Sequence, residues 1–168
     1  MTAVPSVAPS LPPGFQLRRA TAADAWTLRR LVLSAWLDPT QLRWQQFWLV
    51  EAEGTIIACG QLRQFVDAEE LGSLVVAKSW RDRGIGTALS HYLIQQATKP
   101  LYLECVGQGL VQFYSRLGFV AVRWQDLPRS LKAKFALSAI ARSMVKFPVT
   151  LMHYPGIDAE EKKIPTQP

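Results

Sequence analysis

The clearest chemistry in this sequence lies in Leu74-Val75-Val76-Ala77-Lys78-Ser79-Trp80-Arg81-Asp82-Arg83-Gly84-Ile85-Gly86-Thr87. A β-branched run feeds a loop punctuated by Gly84 and Gly86, and the loop opens a helix. Glycines let main chain approach a ligand closely. A helix start offers unpaired N–H groups with a partial positive charge, which together suit phosphate oxygens. Arg81 and Arg83 add cationic side chains at the same place. Alone, the pattern has limited specificity, because glycines ahead of a helix also serve turns. Two familiar phosphate loops are excluded. No lysine follows Gly86, as a Walker loop requires, and Leu89 stands where a dinucleotide fingerprint has its third glycine.

Other reactive side chains are few. Cys59 and Cys105 are the only cysteines, too few for a disulfide scaffold or the usual zinc site, so no metal is expected. Two reduced thiols fit a reducing compartment, and the expected location is cytoplasmic. Cys105 raises a covalent acyl-cysteine route, which needs a neighbouring base or positive field to make the thiolate. The two histidines, His91 on a helix and His153 in the last strand, are not placed beside it by sequence, and a small buried thiol is the favoured reading. Glu70 shares one strand face with Gly72, Leu74 and Val76, while Glu104 ends a later strand next to Cys105.

The elements that must position these residues follow from periodicity. Phe15–Arg18 alternates like a strand, and Thr21 to Asp24 offers cap chemistry ahead of Trp26, Leu28, Leu31, Val32 and Trp36 at helical spacing. Asp38-Pro39 ends that helix. Strands are predicted over Trp44–Ala52 and Thr55–Arg63, joined at Glu53-Gly54 as a hairpin, and over Glu70–Ala77. A helix follows with Ile85, Ala88, Leu89, Tyr92, Leu93 and Ala97 as its apolar stripe. Then come a strand over Leu101–Cys105, a helix over Gly107–Leu117 capped by Gly118, and a strand over Phe119–Val122. A helix from Arg129 to Lys146, buried through Leu131, Phe135, Ala139 and Ile140 and basic through Arg129, Lys132, Arg142 and Lys146, leads to a strand over Val149–His153. The result is a mixed α/β (α+β) sheet with helices on its faces.

The 168 residues are 49% hydrophobic and 19% charged with a formal net charge of +6. That composition suits one globular domain and excludes a disordered chain. No apolar run reaches the roughly 18 residues of a membrane-spanning helix. The basic balance favours a polyanionic partner such as a nucleotide cofactor, a nucleic acid or an anionic surface. Residues 1–14, proline-rich and without Lys or Arg, read as a disordered leader. Residues 15–155 read as a single domain and 156–168 as a flexible tail.

Two segments together now point to a family. Arg81-x-x-Gly84-x-Gly86 after a strand holding Leu74-x-Val76 resembles the cofactor motif of the GNAT superfamily of acyl-CoA-dependent N-acetyltransferases. Phe113-Tyr114-Ser115-Arg116-Leu117-Gly118-Phe119 resembles its second signature. A helix and a strand lie between them, as in the family, and the resemblance covers Phe15 to Val122 with Val149–Tyr154 as a last strand. It implies a mostly antiparallel sheet of six to seven strands, splayed between the Leu74 and Leu101 strands to leave a cleft for a thioester. It further implies acetyl-CoA as co-substrate, its pyrophosphate held by main-chain N–H groups of Arg81, Asp82, Arg83, Gly84, Ile85, Gly86 and Thr87. Leu74, Val75 and Val76 would offer backbone pairing to the pantetheine arm.

For the reaction, Tyr114 matches the family position that commonly donates a proton to the leaving thiolate. A phenol titrating near 10 is protonated at neutral pH; the alternative is that Tyr114 only packs. Glu70 stands at the offset from Arg81 where the histone-modifying branch carries its base. The alternatives are an exposed charge beside Glu69, with Glu104 or water as the base. No asparagine occurs in Val106-Gly107-Gln108-Gly109, where several branches carry one. The expected activity is transfer of an acetyl group to a primary amine by direct attack in a ternary complex. The competing reading is a non-catalytic acyl-CoA-binding module whose basic C-terminal helix docks on nucleic acid or membrane. Nucleic-acid reading calls for exposed aromatics among basic residues, whereas Trp26, Trp36, Trp44 and Trp48 fall in amphipathic segments that predict core packing. The expected partner is therefore a small-molecule or protein amine, with no nucleic acid and no membrane; the sequence itself does not specify an oligomeric state, and the resemblance allows a homodimer, since family members are often dimers.

Overall fold

The computed structural model describes residues 11–37, 41–142 and 148–156. Its strands are β1 (Phe15–Arg19), β2 (Phe47–Ala52), β3 (Thr55–Gln64), β4 (Glu69–Val76), β5 (Leu101–Val106), β6 (Val120–Ala121) and β7 (Val149–Tyr154). Its helices are α1 (Ala25–Ser34), α2 (Ile85–Gln96), α3 (Gln108–Arg116) and α4 (Arg129–Arg142). The strands form one open, mixed, seven-stranded sheet in the order β1-β2-β3-β4-β5-β7-β6, flanked by the four helices. Pairing is antiparallel for β1 with β2, β2 with β3, β5 with β7 and β6 with β7. β4 and β5 pair in parallel through Glu69 with Leu101 and Glu70 with Tyr102.

The chain forms two compact units, Met1–Gln61 with Ser73–Gln96, and Leu62–Gly72 with Ala97–Pro168. The first has a core of Leu28, Val32, Phe47, Leu49, Cys59 and Val75. Its helix α2 buries Ile85, Leu89 and Leu93. Gly60 is what lets α2 lie close on β3, since a Cβ there would meet Leu93 Cδ1 at 2.6 Å. The second unit is built on Ala68, Tyr102, Leu127, Leu131 and Phe135.

Element types agree with the sequence reading, and the differences are local. Trp44–Gln46 is a single 3-10 turn, and β2 begins only at Phe47. Thr21 does form a capping box with Asp24, but it starts a 3-10 turn that runs into α1. The tryptophans do not all pack. Trp26 is 69% and Trp36 is 96% exposed, because the buried side of α1 is Leu28 and Val32 and Trp26 falls opposite it at 100° per residue. Trp36 lies beyond the helix end with a left-handed φ of 57°. Trp48 is half-buried, edge-on to Tyr92 at 4.7 Å and under the Arg19 guanidinium. Asp38-Pro39, Lys146, and the side chains of Ala139, Ile140 and Arg142 lie outside the described residues.

Candidate active site

In the first unit, β4 ends in an irregular stretch that the sequence dictates residue by residue. Ser73 has a φ of 49° within the strand, the mark of a bulge. Its carbonyl accepts from the Cys59 thiol at 3.6 Å and its hydroxyl donates to Gln61 Oε1 at 3.3 Å. After Val76 the chain makes a 3-10 turn over Lys78–Trp80, anchored by the Ala77 amide donating to the Ile57 carbonyl at 2.8 Å. Asp82 (φ 61°) and Gly84 (φ 75°) then turn the backbone left-handed into α2. Ala88 makes a helical bond back to Gly84 at 2.9 Å. The amides of Ile85, Gly86 and Thr87 therefore belong to the first turn, where α-helix geometry supplies no intrahelical acceptor. Residues 81–84 are exposed.

The two loop arginines are already engaged. Arg81 Nε donates to the Val76 carbonyl at 3.1 Å, which ties the loop back onto the end of β4. Arg83 lies over the Trp80 ring at 4.9 Å, and Trp80 is held edge-on by Phe15. Arg81 thus shapes the loop, and Arg83 is parked on an aromatic face within it. An exposed glycine-turned loop with first-turn amides and two arginines is a fitting cradle for a pyrophosphate.

In the second unit, α3 starts after Gly107, whose φ of 86° makes the sharp exit from β5. It buries Tyr114 edge-on between Phe113 at 5.0 Å and Phe119 at 5.7 Å. Gly118 (φ 96°) reverses the chain behind it, and the Phe119 amide bonds back to the Tyr114 carbonyl at 3.1 Å. This is a glycine C-cap that locks the tyrosine in place. Burial, with a smaller contribution from Cys105, pushes the phenol well above its ordinary value, so it is a proton donor at any physiological pH.

The thiols are unsuited to nucleophilic work. Burial, then Glu104, pushes Cys105 up to about 11, and its thiol meets Met152 Sδ at 3.8 Å. Burial pushes Cys59 up to about 12. His153 stacks on Tyr102 at 4.5 Å and pairs with it in register, whereas Cys105 pairs with Thr150. Among the described residues no group of His, Cys, Asp and Glu could hold a metal.

Glu70 is not an exposed charge at a strand start. It is only 2% exposed, because α4 and the end of β3 cover it. Its Oε1 accepts from Arg63 Nη1 at 3.1 Å and from Lys134 Nζ. Its Oε2 is buried with no hydrogen-bond partner among the described residues. Neighbouring Glu69 is also buried, but it is saturated by Gln64 Nε2 at 2.6 Å, the Thr98 amide at 2.9 Å and the Thr98 hydroxyl at 3.2 Å. Sequence reasoning missed Arg63 and Lys134. A signal for Lys134 was available: it stands one turn from Leu131 and next to Phe135, on the edge of the buried stripe and away from the basic face.

Residues 43–121 match the family model described as the acetyltransferase (GNAT) domain. The chain is similar in structure to N-acetylglutamate synthase from Neisseria gonorrhoeae complexed with coenzyme A and N-acetyl-glutamate, with TM-score 0.67 and 17% identity over 83% of this chain and 35% of that one. It is also similar to Rv2747 from Mycobacterium tuberculosis in complex with CoA, with TM-score 0.65 and 21% identity over 81% and 97% of the two chains. A GNAT-family acetyltransferase from Staphylococcus aureus Mu50 aligns with TM-score 0.62 and 18% identity over 83% and 97%. This chain spans about a third of the length of the synthase. No curated protein matches the sequence. The chain thus has the fold of the GNAT acetyltransferases, and residues 43–121 match that family's domain model.

Proposed function

We propose that this protein moves an acetyl group from acetyl-CoA to a primary amine by direct attack in a ternary complex. The observation that carries the reading is the Arg81–Thr87 loop, turned left-handed at Asp82 and Gly84 into the first turn of α2. Its amides would hold the pyrophosphate, and the backbone of Leu74–Val76 would hold the pantetheine arm. The thioester supplies an activated acetyl carbon and a thiolate leaving group. Tyr114 gives the departing sulfur its proton, a role for which a buried, protonated phenol is suited. Glu70 receives the acceptor amine and takes its proton at Oε2, the buried oxygen that has no hydrogen-bond partner among the described residues.

Calorimetric titration with acetyl-CoA tests the first half of this reading. Wild type is expected to bind with a dissociation constant on the order of micromolar, and Gly86→Trp, which puts an indole into the loop, is expected to lose binding. A folded wild type that binds no acetyl-CoA overturns the reading. Thiol release with L-glutamate, Nα-acetyllysine and spermidine then sorts amino-acid, protein-lysine and polyamine acceptors.

A further inference from the structure

Glu70 is held in an unusual way. Two cations, Arg63 from β3 and Lys134 from α4, converge on one carboxylate oxygen. The second oxygen is buried and unpartnered among the described residues. All three side chains lie in the second unit, with side-chain exposures of 11%, 12% and 3% for Arg63, Lys134 and Glu70. Gly72 belongs to the same arrangement, since a Cβ there would meet Arg63 Nη1 at 2.7 Å. The strand is left bare where the guanidinium crosses it.

A buried carboxylate oxygen without a donor is costly to maintain. A purely structural ion trio would spread its donors over both oxygens. Here both donors sit on Oε1, which fixes the carboxylate plane and reserves Oε2 for an N–H that the protein does not supply. We propose that Lys134 and Arg63 are positioning residues that lock Glu70 through Oε1 so that Oε2 meets the acceptor's amine. The inference rests on the reading of Glu70 as the group that receives that amine. It adds a residue from α4, which lies outside the matched family segment.

The charged groups facing this carboxylate are Arg63 on β3 and Lys134 on α4, with Glu104 on β5 acting on Lys134 through space. Burial lowers the Lys134 ammonium below the ordinary lysine value, against the pull of Glu70. Removing Lys134 takes away one of the two donors that hold Oε1.

Thiol release from acetyl-CoA with the three-amine panel is compared across wild type, Glu70→Gln, Lys134→Met and Lys134→Arg. Glu70→Gln is expected to lower kcat/KM for the acceptor about 100-fold or more. Lys134→Met is expected to lower kcat about tenfold and to leave the acetyl-CoA KM unchanged, and Lys134→Arg to restore part of the lost kcat. Full activity in Glu70→Gln overturns the base reading itself. An impaired Glu70→Gln beside a Lys134→Met of wild-type kcat overturns only the positioning proposal, as does a Lys134→Met loss that Lys134→Arg does not restore in any part. A measurement without turnover stands behind these. With ¹³Cε-labelled lysine in the full chain, methylammonium chloride should perturb the Lys134 resonance in wild type and not in Glu70→Gln. No perturbation in wild type overturns the proposal.

Discussion

Two ion networks in this molecule have inverted composition and opposite states of completion. In the first unit one cation serves two acids: Arg18 Nη1 and Nη2 grip both oxygens of Asp24 at 2.8 and 2.9 Å, and Nη2 also reaches Glu51 at 2.6 Å. Asp24 further accepts from the Thr21 amide and hydroxyl at 2.7 and 2.8 Å. Every oxygen of Asp24 is used, and the network ties β1, β2 and the entry to α1 together. In the second unit two cations serve one acid, deeper in the protein, and one oxygen is left over. A saturated network at a half-exposed junction is explained by the fold it holds. An unsaturated one in a buried site is not, since folding gains nothing from the orphaned oxygen.

Deleting the acid in each network gives the largest expected difference. Glu70→Leu strands two buried cations and should cost about 3–5 kcal/mol in denaturant unfolding. Replacing the whole trio, with Arg63→Met and Lys134→Met added to Glu70→Leu, should return stability to within about 1 kcal/mol of wild type or above it. Acetyl transfer in the triple variant should still be abolished. A triple variant that stays strongly destabilised would make the trio a structural device and erase the contrast.

Asp24→Asn should cost less, about 1–2 kcal/mol, through a lost cap and a partly exposed ion pair. Acetyl-CoA binding should be unaffected. Its pH signature follows from the linkage sign. The Arg18 guanidinium first, and then Thr21, hold the Asp24 carboxyl far below the ordinary carboxylate value against the opposing effect of burial. The contribution is complete above the unfolded value of about 4 and is lost as pH falls from there toward the folded value. Wild type and Asp24→Asn should thus differ in stability at pH 6, by an amount that shrinks steadily as pH falls below about 4. A constant gap across that range would mean that Asp24 acts only by packing.

Much of this arrangement was legible in the sequence, though unevenly. The glycine-turned loop and the Phe113–Phe119 segment are local patterns, so short-range chemistry in Gly84, Gly86 and Gly118 revealed them, and the helix and strand between them followed from periodicity. Glu70 could be placed on a strand face by alternation alone. What alternation could not supply was the cover over that face, because Lys134 reaches it from far along the chain and looks like one more surface lysine in an alternating helix. The same limit misled the reading of Trp26 and Trp36. Helical spacing puts apolar residues on one helix, but only the packed partner decides which of them is buried. Arg83 could be read only as a cation of the loop, and the ring of Trp80 beneath it is a tertiary neighbour that a linear pattern does not specify.

Tyr114 sharpens the contrast from the other direction, because it is a buried polar group whose proposed role needs its hydroxyl and not its packing. Tyr114→Phe keeps the ring between Phe113 and Phe119 and should leave stability and acetyl-CoA affinity nearly unchanged. Turnover should drop about tenfold, equivalent to about 1.4 kcal/mol of barrier. Since burial drives the phenol above its ordinary value, wild type should show no loss of kcat from this residue up to about pH 10. An alkaline limb below that pH which disappears in Tyr114→Phe would contradict the assignment.

The smallest expected effect is the most selective test of the Glu70 trio, because it removes no charge. Gly72→Ala puts a methyl group at 2.7 Å from Arg63 Nη1, the far end of a flexible side chain. The guanidinium can swing away, so the stability cost should stay under about 1 kcal/mol, partly offset by the reduced freedom of the unfolded chain. Its contact with Glu70 Oε1, at 3.1 Å in the wild type, should lengthen, leaving Lys134 to hold the carboxylate alone. If orientation of Glu70 is what the two cations provide, acceptor kcat should fall several-fold, with acetyl-CoA affinity and net charge both unchanged. If the trio serves stability alone, the loss of kcat should be absent while the small change in unfolding free energy remains. Measuring both quantities on one preparation therefore separates a carboxylate held for chemistry from one held for the fold.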